Sequence, residues 1–418
     1  MGIIDIMRDL KSIQKGIEEQ LTKKPDEVSV VNLLDLIVEY AYVIKASDIH
    51  IHPKGEGVRL RFRIDGLLRD IIDSGKVSPE LHQEIISRIK VVSGLRTDEH
   101  LAPQDGRFKG KVEGFGDVDV RVSIMPTYYG ENAVLRVLAE TQSFELKDLG
   151  FLPQDMAKVE RAIKKPYGMI LANGPTGSGK STTLYTILKQ LNDPESSIIT
   201  IEDPIEYSLE GLTQIQVNTQ TELTFANGLR SILRQDPNVI MVGEIRDSET
   251  VSIAVNAALT GHLVLSTLHT NDAATTFPRL IDMGVPPFLV ASTINVAMGQ
   301  RLVRQLCQHC KKERVLTPEE AKSLAELIPQ AEHAAKPVFF VGEGCQKCNS
   351  SGYSGRTGIR EVLEVNEDIR QLIMARGNAT QIKEAAIKNG MVTMLMDGYH
   401  KALKGITTLE EVLSIIHE

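Results

Sequence analysis

The chain has 418 residues, 42% of them hydrophobic and 24% charged, with a formal net charge of -8. At roughly 150 residues per domain this length predicts two or three domains, and the composition excludes wholesale disorder. The acidic balance argues against a general nucleic-acid binder. No apolar run approaches the roughly 18 residues of a membrane-spanning helix. The N-terminus lacks the apolar stretch and small-residue cleavage site of a secretory signal. The chain is therefore expected to stay in the cytoplasm, reaching a membrane only through partners or a surface helix.

In chain order, residues 1–28 read as an amphipathic helix and a polar linker around Lys23 to Asp26. Val31 to Lys45 reads as a strongly apolar helix. DIHIHP, GVRLRFRIDG, DVDVRVSIMP and NAVLRVL follow, each alternating apolar and polar residues as half-buried strands do. The helical stretch LHQEIISRIKVVSGL lies among them, and together they predict an α+β domain over 29–141. A linker is expected over 142–156. Over 157–301 the runs GMILANG, SIITIED, NVIMVGE and HLVLSTL are short and apolar, as strands buried on both faces of a parallel sheet should be. With helices between them, they predict a doubly wound α/β domain. Residues 302–358 hold all four cysteines, and 359–418 read as a helical segment.

The strongest motif is Gly174-Pro175-Thr176-Gly177-Ser178-Gly179-Lys180-Ser181, continuing as Thr182. It fits G-x-x-x-x-G-K-[ST] between an apolar strand and a helix, the context that gives the pattern meaning. Glycines let consecutive N–H groups turn toward phosphate oxygens, and the helix N-terminus adds partial positive charge. Lys180 should reach the β- and γ-phosphates of ATP, and Ser181 should offer its hydroxyl to Mg²⁺.

Hydrolysis also needs an acid near the metal and the attacking water. NVIMVGE places Glu244 at a strand end, as the candidate for that acid. A second strand runs into Glu202, Asp203 and Glu206, carboxylates that are costly to cluster without a cation or arginines nearby. His262 and His269 flank a third strand, where a histidine could sense phosphate.

The four cysteines form two C-x-x-C pairs, Cys307 with Cys310 and Cys345 with Cys348. In a reducing compartment this pattern suits a tetrahedral Zn²⁺ held by four thiolates. The long gap between the pairs predicts a subdomain with its own helix, TPEEAKSLAELI.

In this order, the phosphate loop, SIITIEDPIEY, NVIMVGEIRD and TGHLVLSTLHTN resemble the Walker A, Asp-box, Walker B and His-box segments of the secretion ATPase superfamily. ASDIHIHP, RFRIDG, APQDGR and VRVSIMPTYYGENAVLR resemble the N-terminal domain of its type IV pilus assembly and type II secretion branch. The resemblance implies a RecA-like P-loop ATPase domain preceded by a PAS-like α+β domain, with a tetracysteine zinc module and C-terminal helices. It implies Glu244 as catalytic acid, Glu202 and Glu206 near metal and water, and His262 and His269 as the His-box histidines. It makes Arg121 and Arg136 the arginines that reach the nucleotide phosphates, a contribution worth about 10³- to 10⁵-fold in rate for such a group. Arg230 and Arg234 are placed in the cleft or at a subunit interface. The function implied is a hexameric motor that couples ATP hydrolysis to an inner-membrane platform protein, with a cytoplasmic docking protein. Assembly-type members carry a similar tetracysteine module, which favours assembly or secretion over retraction. Two rival readings are a nucleic-acid translocase, for which no aromatic and basic strand-binding stretch is present, and a scaffold that binds ATP without turnover.

Overall fold

The computed structural model describes residues 3–23, 27–55, 57–70, 77–138, 145–328 and 338–416, with side chains from Leu10 to Ser414. They fall into two units, Met1–Gln142 and Ser143–Glu418. Lys24 to Asp26 of the expected polar linker and 142–144 of the expected interdomain linker lie outside the described residues.

In the N-terminal unit, α1 (Ile3–Thr22) buries Ile13, Ile17 and Leu21, one side of a helix, and packs on α2 (Val30–Val43). The strands are β1 (Asp48–Pro53), β2 (Val58–Ile64), β3 (Leu67–Arg69), then, after α3 (Pro79–Val92), β4 (Gln104–Val112), β5 (Gly116–Thr127) and β6 (Gly130–Leu138). They form an antiparallel sheet in the order β3-β2-β1-β6-β5-β4. Strand β4 is absent from the sequence reading because its alternation is masked: QDGRFKGKV turns a glycine inward at Gly110. A Cβ there would meet Val38 of α2 at 2.8 Å, so the small residue permits the helix to lie close on the sheet.

Cross-strand register aligns Arg107, Arg121, Arg136, Asp48 and Arg63 in one row across five strands. Directly opposed like charges are unfavourable, and buried Asp48 relieves part of the row. It accepts from Arg136 Nε at 3.1 Å and pairs with Arg63 Nε at 3.4 Å.

Lys90 is wholly buried on α3, with its ammonium 2.7 Å from the Glu131 carboxylate and 2.6 Å from the Glu99 carbonyl. Breaking such a pair leaves the largely buried Glu131 carboxylate with His100 Nδ1, at 2.8 Å, as its remaining side-chain partner. Lys90→Ala should therefore destabilise this unit by about 3–5 kcal/mol, read as a lowered denaturant midpoint. A midpoint within error of wild type would show that Glu131 finds water instead.

In the second unit, a 3₁₀ turn (Leu146–Leu149) and α4 (Pro153–Ile163) precede β7 (Gly168–Asn173) and α5 (Lys180–Leu191). Then come β8 (Ile198–Glu202), β9 (Thr213–Gln216), α6 (Phe225–Ile232), β10 (Val239–Val242), α7 (Ser248–Leu259), β11 (Leu263–Leu268), α8 (Thr276–Asp282), α9 (Pro287–Thr293) and β12 (Ile294–Leu306). After the cysteine region, with β13 (Lys311–Val315), α10 (Pro318–Leu327) and β14 (Val338–Gly342), the chain returns as β15 (Tyr353–Glu364) and ends in α11 (Glu367–Met374), α12 (Ala379–Lys388), α13 (Met394–Leu403) and α14 (Leu409–Ile416).

The central sheet runs β15-β12-β7-β11-β10-β8-β9, parallel except for antiparallel β12–β15. Strands β7, β8, β10 and β11 are buried along their whole length, with apolar clusters on both faces.

Three expected boundaries are corrected here. The linker ends sooner, because Leu146 and Leu149 are buried in the core of the second unit. The boundary at 301/302 cuts β12 and the one at 358/359 cuts β15, yet these strands pair from Val296–Glu364 to Leu306–Tyr353 and complete the sheet. The cysteine region is thus an insertion between two neighbouring strands. Its hairpin β13–β14 and helix α10 contribute Leu324, Ile328 and Phe339 to a cluster with Tyr399, Ala402 and Leu409 of the C-terminal helices.

Candidate nucleotide site and cysteine centre

Parallel strands end at a common edge, where open α/β sheets bind ligands. Here that edge carries the Gly174–Gly179 loop after β7, Glu202 at the end of β8, Glu244 after β10 and His269 after β11.

The loop curls because Gly174, Gly177 and Gly179 take φ of 141°, 80° and 85°, a region that costs a side chain at Cβ. Lys180 opens α5 and folds back over the loop, with Nζ donating to the Gly174 and Pro175 carbonyls at 2.7 and 2.9 Å. Burial pushes its pKa down, and the Glu244 charge opposes this. Ser178 Oγ and Asn173 Oδ1 are buried without a hydrogen-bond partner. Ser181 is exposed and Thr182 half-buried on the first turn of α5. A glycine-rich turn at a helix N-terminus, with a buried ammonium and an orphaned hydroxyl, fits a polyphosphate.

Glu244 is largely shielded, at 16% side-chain exposure, and its Oε2 receives Arg246 Nε at 2.8 Å and His269 Nε2 at 3.1 Å. A carboxylate accepts only, so His269 carries its proton on Nε2. Strand β11 lies between β7 and β10, which brings His269 between the phosphate loop and Glu244.

His262 is corrected. It stands at the opposite end of β11, where Nδ1 donates to the Ala257 carbonyl at 2.9 Å. Six strand residues at about 3.3 Å each put it roughly 20 Å from the sheet edge that carries the phosphate loop and Glu244. Glu202 is also redefined. It is buried, accepting from Tyr185 Oη, from Thr200 Oγ1 at 2.5 Å and from Gln214 Nε2 at 3.1 Å, so its carboxylate anchors helix α5 to β8 and is not presented to solvent. The same Tyr185 oxygen accepts from the Glu206 N–H at 3.3 Å, and Glu206 itself is half-buried. Burial and the Glu202 contact both push the Tyr185 pKa up, so it remains a donor.

Arg230, on the exposed side of α6, pairs with Glu249 at 2.5 Å, and Arg234, just beyond the end of α6, donates to the Arg230 carbonyl at 3.0 Å. Arg121 and Arg136 belong to the charged row of the N-terminal unit.

Sequence reasoning missed Arg246, Thr183, Gln300 and Arg360. Arg246 had a signal, two residues beyond Glu244. Gln300 had only a weak one, a polar residue in the apolar run INVAMGQRLV. Its Nε2 donates to the Ser178 carbonyl at 2.7 Å, and its Oε1 accepts from Thr183 Oγ1 at 2.8 Å and Arg360 Nε at 3.1 Å.

The four cysteine sulfurs all lie within 4.8 Å of one another. Cys307–Cys345 and Cys310–Cys348 are 3.8 Å apart, and Cys345–Cys348 3.7 Å. A tetrahedron with Zn–S bonds of about 2.3 Å has edges of about 3.8 Å. The backbone N–H groups of Cys345 and Gly352 donate to Cys348 Sγ at 3.1 and 3.3 Å, as suits a thiolate. Donor set and spacing therefore fit zinc.

The model of the type II/IV secretion system protein family matches residues 23–414. The chain is 47% identical to the type IV pilus assembly ATPase PilB of Thermus thermophilus, over 99% of this chain and 46% of that protein. It is 45% identical to the type II secretion system protein E of Aeromonas hydrophila, over 96% of this chain and 78% of that one. The chain thus spans just under half the length of the Thermus relative. Among solved structures, the pilus retraction motor PilT with bound ADP superimposes with a TM-score of 0.63 at 29% identity, over 91% of this chain and 96% of that one. The resemblance expected from the four motifs is met: the chain belongs to the type II/IV secretion system protein family, in the branch whose members are named pilus assembly ATPases and type II secretion E proteins.

Proposed function

We propose that the chain hydrolyses ATP as an oligomeric motor, a hexameric ring working on a membrane-embedded platform protein, with a cytoplasmic docking protein, to assemble pili or secrete proteins. The observation that carries this reading is the convergence of Lys180, Glu244, His269 and Arg246 at the carboxyl edge of one parallel sheet. Gly174 to Thr182 hold the phosphates, and Lys180 exchanges its loop carbonyls for phosphate oxygens. Ser181 would hold Mg²⁺, which when bound neutralises phosphate charge. Glu244 orients water through a carboxylate fixed by Arg246 and His269, with Glu206 at the neighbouring strand end. For Arg121 and Arg136 the proposed role is to supply guanidinium charge to nucleotide phosphates; what supports it is that they stand directly opposite one another on β5 and β6. Cys307, Cys310, Cys345 and Cys348 hold a structural Zn²⁺, since four thiolates leave no open position for chemistry. No described helix is long and apolar enough to cross a membrane; attachment to the inner membrane is proposed to run through partners.

The test is phosphate release from Mg-ATP by the purified chain, with sedimentation alongside. Turnover that rises with the oligomeric fraction is expected. ATP binding without phosphate release in monomer and ring alike would replace the motor with a nucleotide-gated scaffold, and turnover that needs DNA would replace it with a translocase.

A further inference from the structure

Beneath the phosphate loop lies a polar network without solvent access. Gln300 is 0% exposed, Thr183 0%, Arg360 3%, Asp397 1% and Lys401 5%. Buried polar groups this numerous are costly unless paired, and of these five side chains only Asp397 keeps an atom, Oδ1, without a partner. Gln300 and Arg360 face each other across β12 and β15. The Arg360 guanidinium is fixed on two further sides: it donates to the Leu149 carbonyl and lies over the Phe151 ring at 4.5 Å. The Arg360 backbone N–H is held separately, by Asp397 Oδ2 at 2.8 Å. Asp397 also takes Lys401 Nζ at 2.7 Å, and Lys401 donates to the Gly358 carbonyl at 2.6 Å. Burial pushes the Arg360 pKa down to about 10, which leaves it charged at neutral pH.

The consequence for the loop follows from peptide geometry. In a trans peptide the C=O and the following N–H point in opposite directions. Gln300 pulls the Ser178 carbonyl outward, beneath the loop, so the Gly179 N–H must point the other way, into the concavity. The glycines admit this contact: a Cβ on Gly179 would sit 2.9 Å from Gln300 Nε2, and one on Gly174 2.3 Å from the Gln300 carbonyl.

We infer that Gln300, aimed by Arg360, is a positioning residue that sets the Ser178–Gly179 peptide for phosphate binding, and that this ties the loop to the entry segment 149–151 and to helix α13. The inference rests on the reading of the loop as a nucleotide site. Gln300 touches no substrate. Its effect is on the ground-state hold of the phosphates, common to ATP and ADP, so it should move binding and leave the chemical step alone.

The experiment measures KM for ATP, kcat, the dissociation constant of a fluorescent ADP analogue and the melting temperature for wild type, Gln300→Glu and Gly358→Ala. Gln300→Glu keeps the acceptor for Thr183 and Arg360 and replaces only the donor to Ser178. Losing one such bond should raise KM and the ADP constant together by about tenfold, with kcat within about threefold. Gly358→Ala leaves Gln300 intact but puts a Cβ 2.2 Å from Arg360 Nη1, displacing the group that aims it, and should raise both constants in the same sense. If Gln300→Glu fails to melt cooperatively, Gly358→Ala decides. A purely structural role predicts kcat falling with the folded fraction at unchanged KM, and that result overturns the inference while the nucleotide site stands. Wild type that binds no ADP analogue overturns both.

Discussion

Lys180→Ala should lower kcat/KM for ATP by about 30- to 5,000-fold, the cost of about 2–5 kcal/mol for removing one partner of a close charged contact. The ammonium is buried among carbonyls and needs no reorganisation of its helix to meet a phosphate. Glu244→Gln tests the other half of the site. The amide keeps one oxygen for Arg246 or His269 but loses the charge that orients water, and kcat should fall by about 10²- to 10⁴-fold. Nucleotide affinity should be retained, since Glu244 belongs to the hydrolytic side of the edge. The pair is read by phosphate release together with binding of the fluorescent ADP analogue. A Glu244→Gln protein with undiminished kcat would move the acid elsewhere, and Glu206 would be the next residue to change.

Stripping metal from the cysteine centre carries the second large effect. Structural zinc contributes about 10–16 kcal/mol of apparent binding energy in small zinc peptides at neutral pH, and that energy is folding energy. Here the module is part of a larger body, so the expected result is local: one zinc per chain on titration, and on chelation a loss of hydrogen-exchange protection over 307–352. The loss should spread to α13, because Phe339 and Leu324 pack with Tyr399 and Ala402. Cys348→Ser should reproduce it, as Cys348 Sγ gathers two backbone N–H groups besides its neighbouring sulfurs. A protein that purifies without zinc and melts unchanged in chelator would leave the cysteines as a thiol cluster only.

What was legible in the sequence was local. The phosphate loop, its strand and its helix are contiguous, so their geometry follows from one stretch of chain. The same holds for Glu244, two residues past an apolar strand, and His269, one residue past another. His262 and His269 flank β11 at opposite ends, and a uniformly apolar strand does not say which of its ends reaches the site. Glu202 read correctly as a strand-end carboxylate, but Tyr185, which occupies it, lies seventeen residues earlier on α5. Gln300 leaves only a weak trace in the sequence and Arg360 none, because their meaning comes from antiparallel pairing across a 46-residue insertion between Leu306 and Tyr353. That pairing also explains the misdrawn boundaries: change of composition marked where the cysteines begin, while the sheet continued on either side of them.

The paired ends of that insertion separate connectivity from dependence. Leu306 and Tyr353 are cross-strand neighbours, so a descendant that dropped everything between them would need only a short turn to close a hairpin, and the parallel strands carrying Lys180 and Glu244 would keep their order. The same deletion would strip the cover from Tyr399, Ala402 and Leu409, leaving an oily surface on the C-terminal helices. Gaining or shedding the metal module is therefore a single event in the gene and a distributed repair in the protein, with α13 and α14 as the place where the compensating substitutions would accumulate.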